Sequence, residues 1–88
     1  LEITVVRPTP EQLECLNVDT WPIWECGPST FDWHYDEPET CYLLEGQVTV
    51  TADGQSVSFG KGDLVTFPEG LSCVWTVREK VRKYYRFG

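Results

Sequence analysis

The sequence predicts an all-β sandwich or barrel with one short N-terminal helix. Three observations predict it. Apolar residues recur with a period of two over short runs, as in Val48-Thr49-Val50-Thr51, which is the patterning of strands rather than helices. Turn signals such as Asp53-Gly54, Gly60-Lys61-Gly62-Asp63 and Pro68-Glu69-Gly70 cut the chain into about eight such runs at roughly 8–12-residue spacing. Only Thr9-Pro10-Glu11 announces a helix, with an N-cap, a proline at the first helical position and an acid in the first turn.

Taken in order, Glu2–Val6 alternates β-branched residues and predicts an edge strand that Arg7-Pro8 ends. The helix follows over Thr9–Leu16 and closes at Asn17-Val18-Asp19. Trp21–Cys26 holds a proline among aromatics, which suits an edge strand or an arm laid across the body. Ser29–Tyr35 predicts a strand with Phe31, Trp33 and Tyr35 on one side and Asp32 and His34 on the other. From Glu39 the chain is nearly continuously apolar to Leu44, as in strands covered on both faces, and Glu45-Gly46 marks a turn or bulge. Gln47–Ala52 and Gln55–Phe59 form a hairpin about Asp53-Gly54. Leu64–Phe67, Ser72–Val77 and Val81–Phe87 complete the set, with Cys73, Trp75 and Val77 lining the interior. Residues 1–88 read as a single domain, near the lower limit at which one core suffices.

Composition excludes several function classes. Fourteen acids against seven bases give a net charge of −7, so nucleic-acid backbone binding is not expected. The late bases Arg78, Lys80, Arg82, Lys83 and Arg86 read as a solvated edge. No apolar run approaches the ~20 residues of a membrane span. Four cysteines without a CxxC pair, and no signal peptide, point to reduced thiols in an intracellular protein. The expected location is the cytoplasm, or a plastid if a transit peptide has been removed.

The chemistry-bearing stretch is Asp32–Gly46. It holds the only histidine of the chain. Asp32 and His34 share a face, and the turn Asp36-Glu37-Pro38 brings Glu39 back on the next strand. If that face looks inward, an imidazole and two carboxylates meet inside the barrel.

Two segments then line up with a known pattern. Asp32, His34, Glu39 and Gly46 stand at the spacing of histidine, one residue, histidine, three or four residues, glutamate, six residues, glycine. Gly62, Pro68, Gly70 and Cys73 stand at the spacing of glycine, five residues, Pro-x-Gly, two residues, histidine. On these residues the chain resembles the cupins, small jelly-roll β-barrels. Trp33, Tyr42, Leu44-Glu45-Gly46, Gly62-Asp63 and Phe67-Pro68 make it similar to the small single-domain branch related to ureidoglycine aminohydrolase and ethanolamine-utilisation cupins.

The resemblance implies a divalent metal, Zn, Mn or Fe, held at the positions of His34, Glu39 and Cys73, with Asp32 where the first motif histidine stands. Asp32 and Cys73 depart from the family's residue types. Two arrangements therefore stand open: a metal on this altered set, or a metal-free pocket. In the second, His34 pairs with Asp32 or Glu39, and Cys73 is a small apolar filler. Tyr42 and Trp75 are candidate ligand-binding residues. Trp21, Trp24 and Trp33 suggest an aromatic face and, with the family's habit, a homodimer. Three functions follow: a small cupin holding a small polar ligand, a metal-dependent aminohydrolase-like enzyme on C–N bonds with Asp32 as general base, or a structural or regulatory dimeric subunit.

Overall fold

The computed structural model describes residues 2–88. Its strands are β1 (Thr4–Val6), β2 (Ile23–Cys26), β3 (Ser29–His34), β4 (Glu39–Ala52), β5 (Gln55–Gly60), β6 (Leu64–Phe67) and β7 (Ser72–Phe87). The helix α1 spans Pro10–Leu16. A single 3₁₀ turn, Val18–Thr20, links it to β2. All pairings are antiparallel. The strands form one antiparallel β assembly with one short helix, the all-β class that the sequence predicts.

Thr9 caps α1 as predicted. Its hydroxyl accepts from the Gln12 amide, and the Gln12 side chain accepts from the Thr9 amide. Asn17 ends the helix in the left-handed region, with φ 53°. Asp53 and Gly54 both adopt positive φ, the backbone of a tight hairpin turn, and close β4 onto β5.

Two long strands organise the rest. Where the sequence suggests a break at Glu45-Gly46 and another at Arg78–Lys80, the chain runs straight through as β4 and β7. They pair with each other over nearly their whole length. The first half of β4 also pairs with β6, and its second half with β5. The last part of β7 pairs with β2, and its first part with β3. Each long strand thus serves two layers, and the ladder must bend between them.

The bend is a bulge. Register slips between Leu43 and Val48. Inward positions are Glu39, Cys41 and Leu43 before it, but Val48 and Val50 after it. One extra residue has switched the parity. Gly46 sits there with φ +112°, and a Cβ on it would lie 2.6 Å from the Lys80 carbonyl oxygen and from the Val81 Cα. Both the backbone angle and the space require glycine.

The core lies between the layers. Val48, Val50, Phe59, Val65, Phe67, Leu71 and Val81 are all essentially buried. Rings add a second level of order: Tyr35 stacks on Phe67 at 4.8 Å, and Phe59 meets Trp75 edge-on at 5.7 Å. Among the described residues no helix is long and apolar enough to cross a membrane.

Replacing Gly46 by Ala is expected to cost about 2–3 kcal/mol, from left-handed backbone strain plus a backbone clash. Urea unfolding of the two proteins at a common m-value measures this directly. A midpoint equal to that of the parent would remove the bulge from its organising role.

Candidate functional site

Strand β3 decides where the expected ligands point. Its register sets Phe31 opposite Trp75 and Trp33 opposite Cys73. Tyr35 and Phe31 turn inward, Trp33 on the same side stays exposed, and Asp32 and His34 face out. The alternation read from the sequence holds, but the assignment of its faces inverts. Covering Tyr35 and Phe31 buries far more apolar area than one carboxylate and one imidazole would, and the latter would lose hydration if turned inward.

His34 therefore lies at the surface. Its Nδ1 is 2.7 Å from Ser72 Oγ, and its Nε2 is 3.6 Å from the exposed Asp36 carboxylate. Asp32 is exposed as well. Glu39 is buried, on the inner side of β4, where its Oε2 accepts a 3.1 Å hydrogen bond from Lys83 Nζ. Cys73 is buried on the inner side of β7. The expected metal set of His34, Glu39 and Cys73 is thus split between the two sides of the sheet, and Asp32 is nowhere near Glu39's side.

Among the described residues no three His, Cys, Asp or Glu side chains converge in a way that could hold a metal ion. The donor chemistry agrees. The Glu39 charge is already balanced by Lys83, and burial, reinforced by the Glu39 carboxylate, pushes the Cys73 thiol up, away from the thiolate that binds metals. The residues do not fit the cupin metal.

The structure assembles a different site. A cleft of about 210 Å³ opens among rings of β2, β3 and β7. Trp24, Phe31, Trp33, Trp75 and Phe87 line it, with Trp75 buried and Trp33 and Phe87 exposed. Phe31 stacks against Trp75 with centroids 6.1 Å apart, and Trp24 meets both rings edge-on. The cleft's one charged lining residue is Lys83. Its Nζ lies 4.7 Å from the centroid of Trp75 and 5.1 Å from that of Trp24, each within cation–π range. Both side chains of the Lys83–Glu39 pair are only 5% exposed.

The surroundings of the pair are fully satisfied. Trp75 Nε1 donates to Tyr35 Oη at 3.1 Å. The Tyr35 backbone is gripped by the Pro68–Leu71 turn, through Tyr35 N to Leu71 O and Gly70 N to Tyr35 O. Burial, then the Glu39 carboxylate, raises the Tyr35 phenol strongly, against the smaller opposing effect of the Trp75 hydrogen bond. Cys41 is pushed up to about 12 by burial, with Lys83 opposing and Glu39 adding.

Of the expected ligand-binding residues, Trp75 lines the cleft and Tyr42 does not. Tyr42 lies on the opposite side of β4 from Cys41 and Leu43, half-buried. Of the three tryptophans expected on an aromatic face, only Trp33 is exposed. Trp21 is buried beneath the Arg86 guanidinium at 4.6 Å, and Trp24 serves the cleft. The residue that the sequence reading left in solvent is Lys83. Its signal was present: it shares the parity of Trp75, Val77, Val81 and Tyr85 along β7.

Comparison with known proteins fixes the family. The EutQ-like cupin domain family matches residues 13–85. The chain belongs to the EutQ-like cupins. This cupin superimposes with a TM-score of 0.98 on the crystal structure of a DUF861 family protein from Thermotoga maritima, which is 55% identical over 99% of this chain and 100% of that one. It is 31% identical over 61 residues to the acetate kinase EutQ of Clostridioides difficile, covering 69% of this chain and 39% of that protein. A putative ethanolamine utilization protein of Salmonella typhimurium gives a TM-score of 0.69 at 25% identity, over 74% of this chain and 53% of that one. The cupin thus spans well under half the length of the curated relative it matches.

Two outcomes follow from this geometry. Lys83→Met leaves Glu39 buried without a partner and is expected to lose about 3–5 kcal/mol, whereas the double variant Glu39→Gln/Lys83→Met recovers most of that loss. A denaturant double-mutant cycle checks it, and simple additivity of the two single losses would contradict the pairing. The Cys41 thiol holds its proton more tightly folded than unfolded, so its contribution is fully present below pH 9.0 and is lost as pH rises towards about 12. The urea midpoint should fall over that alkaline window, and less steeply in Cys41→Ala.

Proposed function

We infer that this cupin binds a small, planar, uncharged molecule carrying a carbonyl group, in the aromatic cleft lined by Lys83. The observation that carries this reading is a lysine ammonium, its charge already balanced, exposed to an otherwise aromatic cleft. Flat rings favour a flat body between them. Lys83 retains donors beyond the one given to Glu39 and can address a carbonyl oxygen.

Charge selects the ligand class. A carboxylate entering the cleft would set a second anion beside Glu39 against one ammonium, in a site with little water to screen them. Polyphosphorylated metabolites fit worse still, given a net charge of −7. The volume of about 210 Å³ lies below that of drug-sized pockets, so the ligand has on the order of ten non-hydrogen atoms.

Two other activities draw less support. The Clostridioides difficile relative is named an acetate kinase. Phosphoryl transfer needs a clamp for several phosphate charges, and this cleft offers one cation that is already paired. Metal-dependent aminohydrolase chemistry needs His34, Glu39 and Cys73 on one ion, and those side chains lie on two sides of the sheet.

Benzamide is the probe. Three of the four tryptophans border the cleft, so their fluorescence reports its occupancy. Benzamide should give a saturable change, and benzoate should bind weaker by about tenfold or more, a difference of at least ~1.4 kcal/mol. His34→Ala should bind benzamide like the parent. No saturable response to benzamide, or its loss in His34→Ala, overturns the reading.

A further inference from the structure

Every side chain that lines the cleft is aromatic except Lys83. The polar atoms these residues bring are indole N–H groups, phenol hydroxyls and one ammonium, each with a proton to give. Among the described residues that line the cleft there is no carboxylate and no side-chain amide. The β7 carbonyls are taken up by ladders to β4 on one side and to β2 and β3 on the other. The cleft is therefore rich in donors and poor in acceptors.

Two of the donors meet at one indole. Lys83 Nζ lies 4.7 Å from the Trp75 ring centroid, and Tyr35 Oη accepts from Trp75 Nε1 at 3.1 Å. That bond uses an oxygen lone pair and leaves the Tyr35 proton to be given. The Tyr35 ring is 1% exposed and stacks on Phe67 at 4.8 Å, so it has little freedom left to lose on binding.

We propose that the cleft selects an aryl ketone or aryl ester, whose carbonyl oxygen accepts from both Lys83 and Tyr35, over carbonyl compounds that carry N–H. This rests on the reading of the cleft as the ligand site and names the ligand's class. A carbonyl oxygen has two lone pairs and can take both protons. A ligand N–H would leave water for a lining with no carboxylate or amide oxygen to receive it, and an unmet buried donor is the costly case. A ligand without an acceptor would instead leave the ammonium and the phenol unmet.

Acetophenone, benzamide and α-methylstyrene share a flat shape and differ in the group beside the ring. Calorimetric titration should rank acetophenone first, by about fivefold over benzamide and by about tenfold or more over α-methylstyrene. Tyr35→Phe keeps the ring and removes the hydroxyl, so acetophenone should weaken about fivefold while α-methylstyrene stays within about twofold. That variant also takes an acceptor from Trp75, so the parent protein supplies a second readout. The carbonyl stretch of isotope-labelled acetophenone bound to the parent should fall at or below its frequency in water, and should rise in Tyr35→Phe. A stretch at the value found in alkane, a parental acetophenone affinity in Tyr35→Phe, or acetophenone no tighter than α-methylstyrene overturns the two-donor site. Benzamide binding as tightly as acetophenone overturns the selectivity. If benzamide binds while any of these results appears, the ligand class falls and the cleft stands as the site. If none of the three compounds binds, both fall.

Discussion

The β4–β7 ladder is the constraint on which the molecule depends. Each of these strands is too long to stay in one layer of so small a body, so the pair bends, and the bend is made by register slips on both strands around Gly46. These slips let β4 present Glu39, Cys41 and Leu43 on one side of the bulge and Val48 and Val50 on the other, all facing inward. Without the parity switch, one half of β4 would turn its apolar set to water. The ladder also fixes the site. Leu43 stands opposite Lys83, which leaves Glu39 and Lys83 on the same inner surface and within reach of one another.

A buried ion pair is a poor source of stability in itself, since desolvation offsets most of the attraction. Its persistence here has an explanation in what surrounds it. The Lys83 ammonium faces two indole rings, whose π-faces partly replace lost water. The nearby Tyr35 hydroxyl is occupied by Trp75, and among the described residues no buried side-chain nitrogen or oxygen lacks a partner. Charge, ring faces and hydrogen bonds close on each other, which holds the cleft open in one geometry.

The sequence shows the turns and the helix plainly, because Thr9-Pro10, Asp53-Gly54 and Pro68-Glu69-Gly70 act through local backbone chemistry. It shows the alternation of β3 but not which side is inside, because period two is symmetric until tertiary packing chooses. Here Phe31 and Tyr35 outweigh Asp32 and His34. Composition turns polar at Gly46 and at Arg78–Lys80 and suggests strand ends there, although the backbone pairing continues. The same polar stretch masks Lys83. Carrying the parity of Trp75 and Val77 through Val81 would have placed Lys83 inward, but a lysine amid Arg82 and Arg86 reads as solvated when the strand is taken to begin afresh.

The family resemblance takes on a different physical meaning once Lys83 is seen. At the motif positions, Glu39 is retained while Asp32 and Cys73 stand where histidines would. A carboxylate inside a β-barrel must have a counter-charge, whichever cation supplies it. In the metal-binding members that the motif resembles, a divalent ion balances the glutamate and neutral imidazoles complete its shell. In this chain an ammonium from β7 balances the same carboxylate at 3.1 Å, and the imidazoles have no ion left to complete. His34 can then turn outward to Ser72, and Cys73 can pack as a protonated thiol. Electroneutrality at Glu39 is the requirement that survives the loss of the ligand set. A lysine that meets it also turns its ammonium to the faces of Trp75 and Trp24, and so sets one balanced charge in the wall of an aromatic cleft.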